Sequence, residues 1–451
     1  MNNSIEKITR ILQPSDDVPV MGISEFQNWY QHYDADIPEL ELPVDEPERA
    51  ITDCIDAHLA TGVNNIVWSC GRSVVAYHSE LENATRQGTH PMKPILDQIC
   101  PLRTALDYAR KKNVGILGRL SMNRHYAPNN PDSPWSGNSS RFTIEHPEYR
   151  EVSKLGREIP SRLCYAFDEV RRERIDILLE IQRIGVGALV LDFCRQPPLL
   201  GYHEALVEPY RQKTGVDPRE IHSTRPEDYA DWFQYRADVM TGFMRELREA
   251  VAQQEKSLGR ACPIIARVPD NAPWLMIAHG LDSETWCRDD LVDGLMISHL
   301  PTSLEDVRLY PEHAFETARK YGKYAIGTIG SLSLMRSKNN GNTLENTGFY
   351  HPKPVYEKLD RQYKAGADAV SIYQSETLCR LDYLKPLFAD CGLRDTVADK
   401  AENLEDPDRE KLFSNNSSPW SLGLDWHARW CHPTIKRGEC LSDAISGNAA
   451  L

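Results

Sequence analysis

What the sequence lacks narrows the field first. It has no apolar run long enough to span a bilayer. Its opening residues, MNNSIEKITRILQPSDD, hold no apolar stretch flanked by basic residues and no small-residue cleavage site, so neither a secretory signal nor a membrane anchor is expected. Basic charge is short as well. Against 66 Asp and Glu stand 52 Lys and Arg, a net charge of −14, which argues against nucleic acid or an anionic membrane as main partner. The eleven cysteines are odd in number and include no CxxC pair, which fits reduced thiols in a cytoplasmic protein and excludes a structural zinc motif. No Walker loop and no GxGxxG opening a helix is present, so no nucleotide cofactor is expected, nor any other.

What is there is a repeated junction: an amphipathic helix, a Gly or polar pair, then a short apolar strand. It reads ATGVNNIVWS at 60–69, KKNVGILGRLS at 111–121 and RIGVGALVLDF at 183–193. It returns as DLVDGLMIS at 290–298, KYGKYAIGTIG at 320–330 and KAGADAVSIY at 364–373. Such short links into nearly all-apolar runs mean parallel strands covered on both sides. PVMGIS (19–24) and CPIIARV (262–268) bring the count to eight. The fold class expected is therefore α/β, a (β/α)8 TIM barrel, and a chain that is 41% hydrophobic and 26% charged can bury its core without disulfides.

The helices agree. Ile177, Leu178, Ile181 and Ile184 recur at helical spacing after Val170, as do Trp232, Phe233, Met240, Phe243, Met244, Leu247 and Val251 after Tyr229. Residues 122–160 and 331–350 are rich in Asn, Ser, Gly and Pro and read as loops rather than extra elements, on the C-terminal face where barrels build their sites. We divide the chain into a barrel domain, 1–394, and a C-terminal extension, 395–451, whose LGLDWHARWCHP aromatics pack back on the barrel. No feature specifies an oligomeric state.

In a barrel, polar residues directly after apolar strands are the site candidates. These are Ser69, Cys70 and Arg72 after the second strand, and Arg119, Asn123, Arg124 and His125 in and after the third. The fourth strand offers Asp192 and Arg195, the fifth Arg267 and Asp270, the sixth His299, and the eighth Tyr373, Gln374 and Glu376. Asp192 is the sharpest signal, because a carboxylate after four apolar residues is costly unless a ligand, a metal or an arginine accepts it. Arg195 and Arg267 are the arginines that would make it a structural ion pair instead. Asp270 serves equally as a helix N-cap, and Glu376 in SET can open a helix. Two carboxylates flanking a glycosidic bond perform acid/base hydrolysis, about 5 Å apart for retention and roughly 6.5–9.5 Å for inversion. Asp192, Asp270 and Glu376 are the catalytic candidates. Arg72, Arg119, Arg124, Arg195 and Arg267 suggest a ligand with negative charge, a uronic acid or sulfated sugar, unless they neutralise Asp192 and Asp270. Trp135, Tyr202 and Trp274 are loop aromatics that can stack on sugar faces.

HPEYR (146–150), FDEVRRERIDILLEI (167–181) and GALVLDFCRQPP (187–198) resemble the glycoside-hydrolase-like family 10 proteins, as do 232–251 and 279–297. The resemblance spans roughly residues 18–380. It implies a TIM barrel, a carbohydrate substrate, and Asp192 as the nucleophile or stabiliser at the end of the fourth strand. Asp168-Glu169-Val170-Arg171 departs from the family pattern, in which Pro often begins this helix. The absence of a leader favours imported oligosaccharides over extracellular polysaccharide.

Two other readings compete. One is a barrel lyase, isomerase or aldolase, with a metal held by Asp192, Asp270, His299 and Glu376; a Schiff-base lysine is disfavoured because Lys323 begins the seventh strand, at the wrong end. The other is a non-catalytic sugar-binding barrel, which needs the arginines and aromatics but not two carboxylates.

Overall fold

The computed structural model describes residues 4–26, 29, 46–88, 92–122, 139–194, 199–223, 225–269, 273–298, 311–329, 352–379 and 384–405. Its strands are β1 Val20–Ser24, β2 Asn65–Gly71, β3 Gly115–Ser121, β4 Arg150–Val152, β5 Glu158–Leu163, β6 Leu189–Asp192, β7 Ile264–Val268, β8 Gly294–Ile297, β9 Tyr324–Ile329 and β10 Ala369–Tyr373. Eight of them close a barrel in the order β1-β10-β9-β8-β7-β6-β3-β2, each pairing parallel to its neighbours. These are the eight apolar runs read from the sequence.

Side chains alternate along a strand, so every second residue faces the barrel axis. Met21, Ile23, Val67, Leu117, Val190, Ile265, Met296, Ile326 and Ala369 form one interior apolar cluster. Two residues beyond Val67, Leu117, Val190, Ile265 and Met296, the same inward rows carry Ser69, Arg119, Asp192, Arg267 and Ser298. The interior therefore changes from apolar to charged toward the C-terminal ends of the strands. Outward-facing Ile66, Trp68, Ile116, Leu189, Leu191 and Ile264 join the larger core with Ile177, Leu178 and Ile181 of helix Asp168–Ile184 and with Met240, Phe243, Met244 and Leu247 of helix Ala230–Leu258.

The floor is closed by a helix from the chain's start, Ser4–Ile11, whose Ile8 is buried in the interior cluster together with Leu12. Polar bonds fix it. Ser4 Oγ and Lys7 Nζ both reach Asp293 Oδ1 at 3.3 Å, while Asp293 Oδ2 accepts from Arg248 at 2.7 Å and from the Ile264 amide at 2.9 Å. Lys323, also at this end, pairs with Asp290.

One expectation is corrected. The 122–160 stretch does not consist of loops alone: it holds a short helix, Arg141–Glu145, and β4, which pairs antiparallel with β5. The strand signal was short and charged, three residues of Arg-Glu-Val, and the turn depends on Gly156 at φ 76°. The hairpin has its own small core of Phe142, Leu163 and Val170, with Tyr149 and Phe167 against it. The 331–350 stretch lies outside the described residues, as do the extension aromatics. Of the chain's end, helix Arg394–Asn403 is described; it is tied to Asp17 through the Arg394 amide at 2.9 Å and to Asp390 through Lys400.

Burial alone would push the Asp293 carboxyl up, but Arg248, the Ile264 amide and Lys7 outweigh it and hold it below the ordinary carboxylate value. A depressed folded pKa adds stability that is fully present above the unfolded value, about 3.9, and disappears as pH falls through the folded value. Asp293→Asn should cost about 3 kcal/mol in urea denaturation at pH 7. It should also flatten the acid limb of the stability curve below pH 4; an unchanged acid limb would mean that the carboxylate does not fix the floor.

Candidate functional site

The charged upper layer of the barrel interior is built by register. Ser121 pairs with Asp192 across β3 and β6, and Asp192 with Arg267 across β6 and β7, which puts Arg119, Asp192 and Arg267 on three consecutive strands. Asp192 Oδ2 accepts from Arg119 Nη1 at 2.6 Å, and both its oxygens accept from Arg267 Nη1 at 2.8 Å. Its Oδ1 also takes the Cys194 amide at 3.0 Å. Arg119 reaches onward through Nη2 to Glu25 Oε1 at 2.5 Å, and Glu25 Oε2 binds Arg72 Nη2 at 2.6 Å. At the other end Arg267 Nη2 donates to Ser298 Oγ at 2.6 Å, and its guanidinium lies 4.7 Å from the centre of the Tyr373 ring. A relay of alternating charge thus crosses the barrel from Arg72 through Glu25, Arg119 and Asp192 to Arg267. Glu376, in the turn of helix Ser375–Leu378, joins it by accepting the Glu25 amide at Oε2, 3.1 Å away.

The layer is buried, and Arg119 and Arg267 are held in their charged form. Asp192 and Arg267 are fully buried, and Arg119 and Glu25 are 1% exposed. Burial works against the charge on Arg119, but Glu25 and Asp192 more than offset it and raise its pKa; burial is likewise outweighed at Arg267, chiefly by Asp192. Each of the three described arginines of this layer is bonded to one of its carboxylates.

Beside the relay a small cleft, part of it open to solvent, lies between the ends of β1 and β2 and the segment that follows β2. Its wall includes Glu25, Trp68, Ser69, Arg72, Gln87 and Met92. Trp68 stacks on Phe26 at 4.9 Å, which stiffens the apolar side. The polar side depends on Gly71 at φ 142°, where a Cβ would stand 2.3 Å from the Val74 carbonyl oxygen. Arg174 donates to the Arg72 carbonyl at 2.7 Å and anchors the turn from behind.

Of the residues singled out in the sequence, Arg72, Arg119, Asp192, Arg267, Tyr373 and Glu376 come together here. Asn123, Arg124, His125, Arg195, Asp270, His299 and Trp135 lie outside the described residues. Among the described residues Arg267 and Arg119 are both ionic partners of Asp192. Cys70 is buried in the outer core with its thiol pushed up to about 12 by desolvation, which makes it a poor nucleophile. Tyr202 is buried with its ring 5.3 Å from Trp232, whereas Trp274 is 44% exposed. Glu25 was missed, although GISEF gives the same signal as ALVLDF, an acid closing an apolar strand. Ser298 was missed because nothing in MISHL distinguishes it from an ordinary strand end. Among the described residues no group of three or more His, Cys, Asp or Glu is placed to hold a metal ion, and no helix is long and apolar enough to cross a membrane.

No protein-family model and no curated protein matches the sequence. Solved structures do. The chain is similar in fold to an α-L-fucosidase isoenzyme 2 from Paenibacillus thiaminolyticus, at 12% identity and a TM-score of 0.50, over 85% of this chain and 50% of that one. An α-galactosidase from Thermus thermophilus matches at 11% identity and 0.41, over 87% and 66%. A GH138 enzyme targeting pectin rhamnogalacturonan II matches at 11% and 0.41, over 94% and 45%. The chain spans half the length of the fucosidase. The likeness is one of fold: this chain is a (β/α)8 barrel.

The relay yields a stability prediction. Arg119→Met removes the group shared by Glu25 and Asp192 and leaves buried charge uncompensated, a loss of about 3–5 kcal/mol. Arg72→Met, at the relay's more open end, should cost less. Urea titration of both variants checks the order; equal losses would mean that the two carboxylates do not share Arg119 as their common counter-ion.

Proposed function

We propose that this chain is a glycoside hydrolase acting on an oligosaccharide, related to the glycoside-hydrolase-like family 10 proteins that its HPEYR and GALVLDFCRQPP segments resemble. The observation that carries the reading is the set of buried carboxylates, Glu25, Asp192 and Glu376, gathered at the C-terminal mouth of the barrel beside an open cleft. In barrels this face carries the chemistry. The fold likeness is consistent with the reading and adds nothing to the choice of substrate.

The geometry narrows the roles. Arg119 fills the space between Glu25 and Asp192, so those two do not flank a scissile bond as a pair. Asp192, bonded to two arginines, suits the ionised role of nucleophile or stabiliser. The proton donor then comes from a second acid, Glu376 or Asp270. Arg72 and Gln87, on the wall of the cleft, would offer donors to sugar hydroxyls. A neutral sugar fits this layer best, because its described arginines are already bonded to carboxylates. An anionic sugar, uronate or sulfated, would draw on Arg124 and Arg195. The nine described cysteines are free thiols, which suits work on imported oligosaccharides in the cytoplasm.

A second reading has an observation of its own. Asp192 is fully buried and both its oxygens are occupied, as in a structural hub of a sugar-binding barrel without catalysis. Asp192→Asn separates the two. As an enzyme the variant should lose about 3–5 kcal/mol of stability yet stay folded at 25 °C with calorimetric sugar binding kept, while reducing-end release falls by at least about 100-fold. Loss of folding with no prior turnover in the wild type would assign Asp192 to structure. The substrate class is tested by reducing-end release over neutral, uronate-containing and sulfated oligosaccharides, with and without chelator. Neutral chains should be cleaved, and exclusive cleavage of anionic ones would overturn the neutral assignment.

A further inference from the structure

Glu376 is presented by an unusual piece of backbone. Between the end of β10 and the turn that carries Glu376 stands Gln374, at φ 56° and ψ 40°, a left-handed conformation that a residue with a side chain adopts only when its surroundings impose it. The next residue, Ser375, is fully buried, and its Oγ lies 2.8 Å from Nε2 of His58, also fully buried. His58 belongs to the outer helix Pro47–Leu59. Its Nδ1 is 2.7 Å from the Cys54 carbonyl oxygen. A carbonyl only accepts, so Nδ1 carries the proton; in the neutral ring Nε2 is then the acceptor, and Ser375 donates to it. For the neutral imidazole the direction of both bonds follows from the Cys54 carbonyl.

The contact lies on the outer face of β1, directly over Gly22, whose neighbours Met21 and Ile23 face the interior. A Cβ on Gly22, in the middle of β1, would stand 2.5 Å from Ser375 Oγ and 2.7 Å from His58 Cδ2. Glycine at that position of a barrel strand gives nothing to the core; it makes room for the imidazole to meet the hydroxyl. We propose that His58 is a positioning residue. Through Ser375 it pins the turn after β10 and so holds the Glu376 carboxylate against the Glu25 amide in the mouth. The inference rests on Glu376 as a reacting group only for its effect on turnover; the positioning itself is read without activity.

The readout is hydrogen exchange at the Glu25 amide, which donates to Glu376 Oε2 and reports directly on where that carboxylate is. In the full chain, His58→Phe and Ser375→Ala should each speed exchange at Glu25 at least tenfold, with amides of β6 and β7 unchanged. The double variant should be no faster than either single one, because both remove the same bond. His58→Gln, whose side-chain oxygen can accept from Ser375, should restore most of the protection. Should His58→Phe fail to fold, Ser375→Ala and His58→Gln carry the test. Glu25 exchange unchanged in Ser375→Ala, or additive in the double variant, would overturn the proposal. Accelerated exchange with hydrolysis undiminished would leave the positioning standing and remove Glu376 from the reaction instead.

Discussion

The upper barrel depends on one carboxylate shared by two guanidinium groups. Asp192 ends a short apolar strand and is fully buried, away from solvent. Arg119 and Arg267, on the strands either side, stabilise its charge. Arg119 in turn needs Glu25 for its other nitrogen, and Glu25 takes up Arg72. Each charge is tolerated because of the next, so the layer is cooperative, and removing one partner exposes the cost of the others. It also freezes side-chain geometry across five strands, the pre-organisation that a site for small polar ligands requires.

The fold was legible because its signals are local and repeated. Every barrel strand is a short apolar run behind a helix stripe, and the parallel arrangement follows from the lengths of the links. The hairpin was not legible, since Arg150-Glu151-Val152 shows neither alternation nor bulk. The floor helix was hidden for a different reason. MNNSIEKITRILQ reads as a modest amphipathic segment, and only the barrel supplies the hole that Ile8 and Leu12 fill.

The site was half legible. The rule that flagged Asp192, an acid closing an apolar strand, applied equally to Glu25 and was not applied there. The arginines were found with two meanings open, an anionic ligand or neutralisation of a buried acid, and the pairing of Arg267 with Asp192 belongs to the second. In the sequence, Arg72, Arg119 and Arg267 stand apart and suggest an anionic ligand; in space each already has a carboxylate. Charge neutralisation between residues 47 to 94 positions apart leaves no trace in local sequence. His58 and Ser375 are a stronger case, because a histidine on an apolar helix and a serine after a strand are individually unremarked, and only Gly22 between them shows that they were meant to touch.

The interior is stoppered at both ends. Ile8 and Leu12 close it below, and the relay of charged side chains closes it above, with an apolar filling between them. The barrel is consequently no conduit. Among the described residues no route through the interior joins the two ends, so a ligand bound at the mouth would have to arrive and depart on one face.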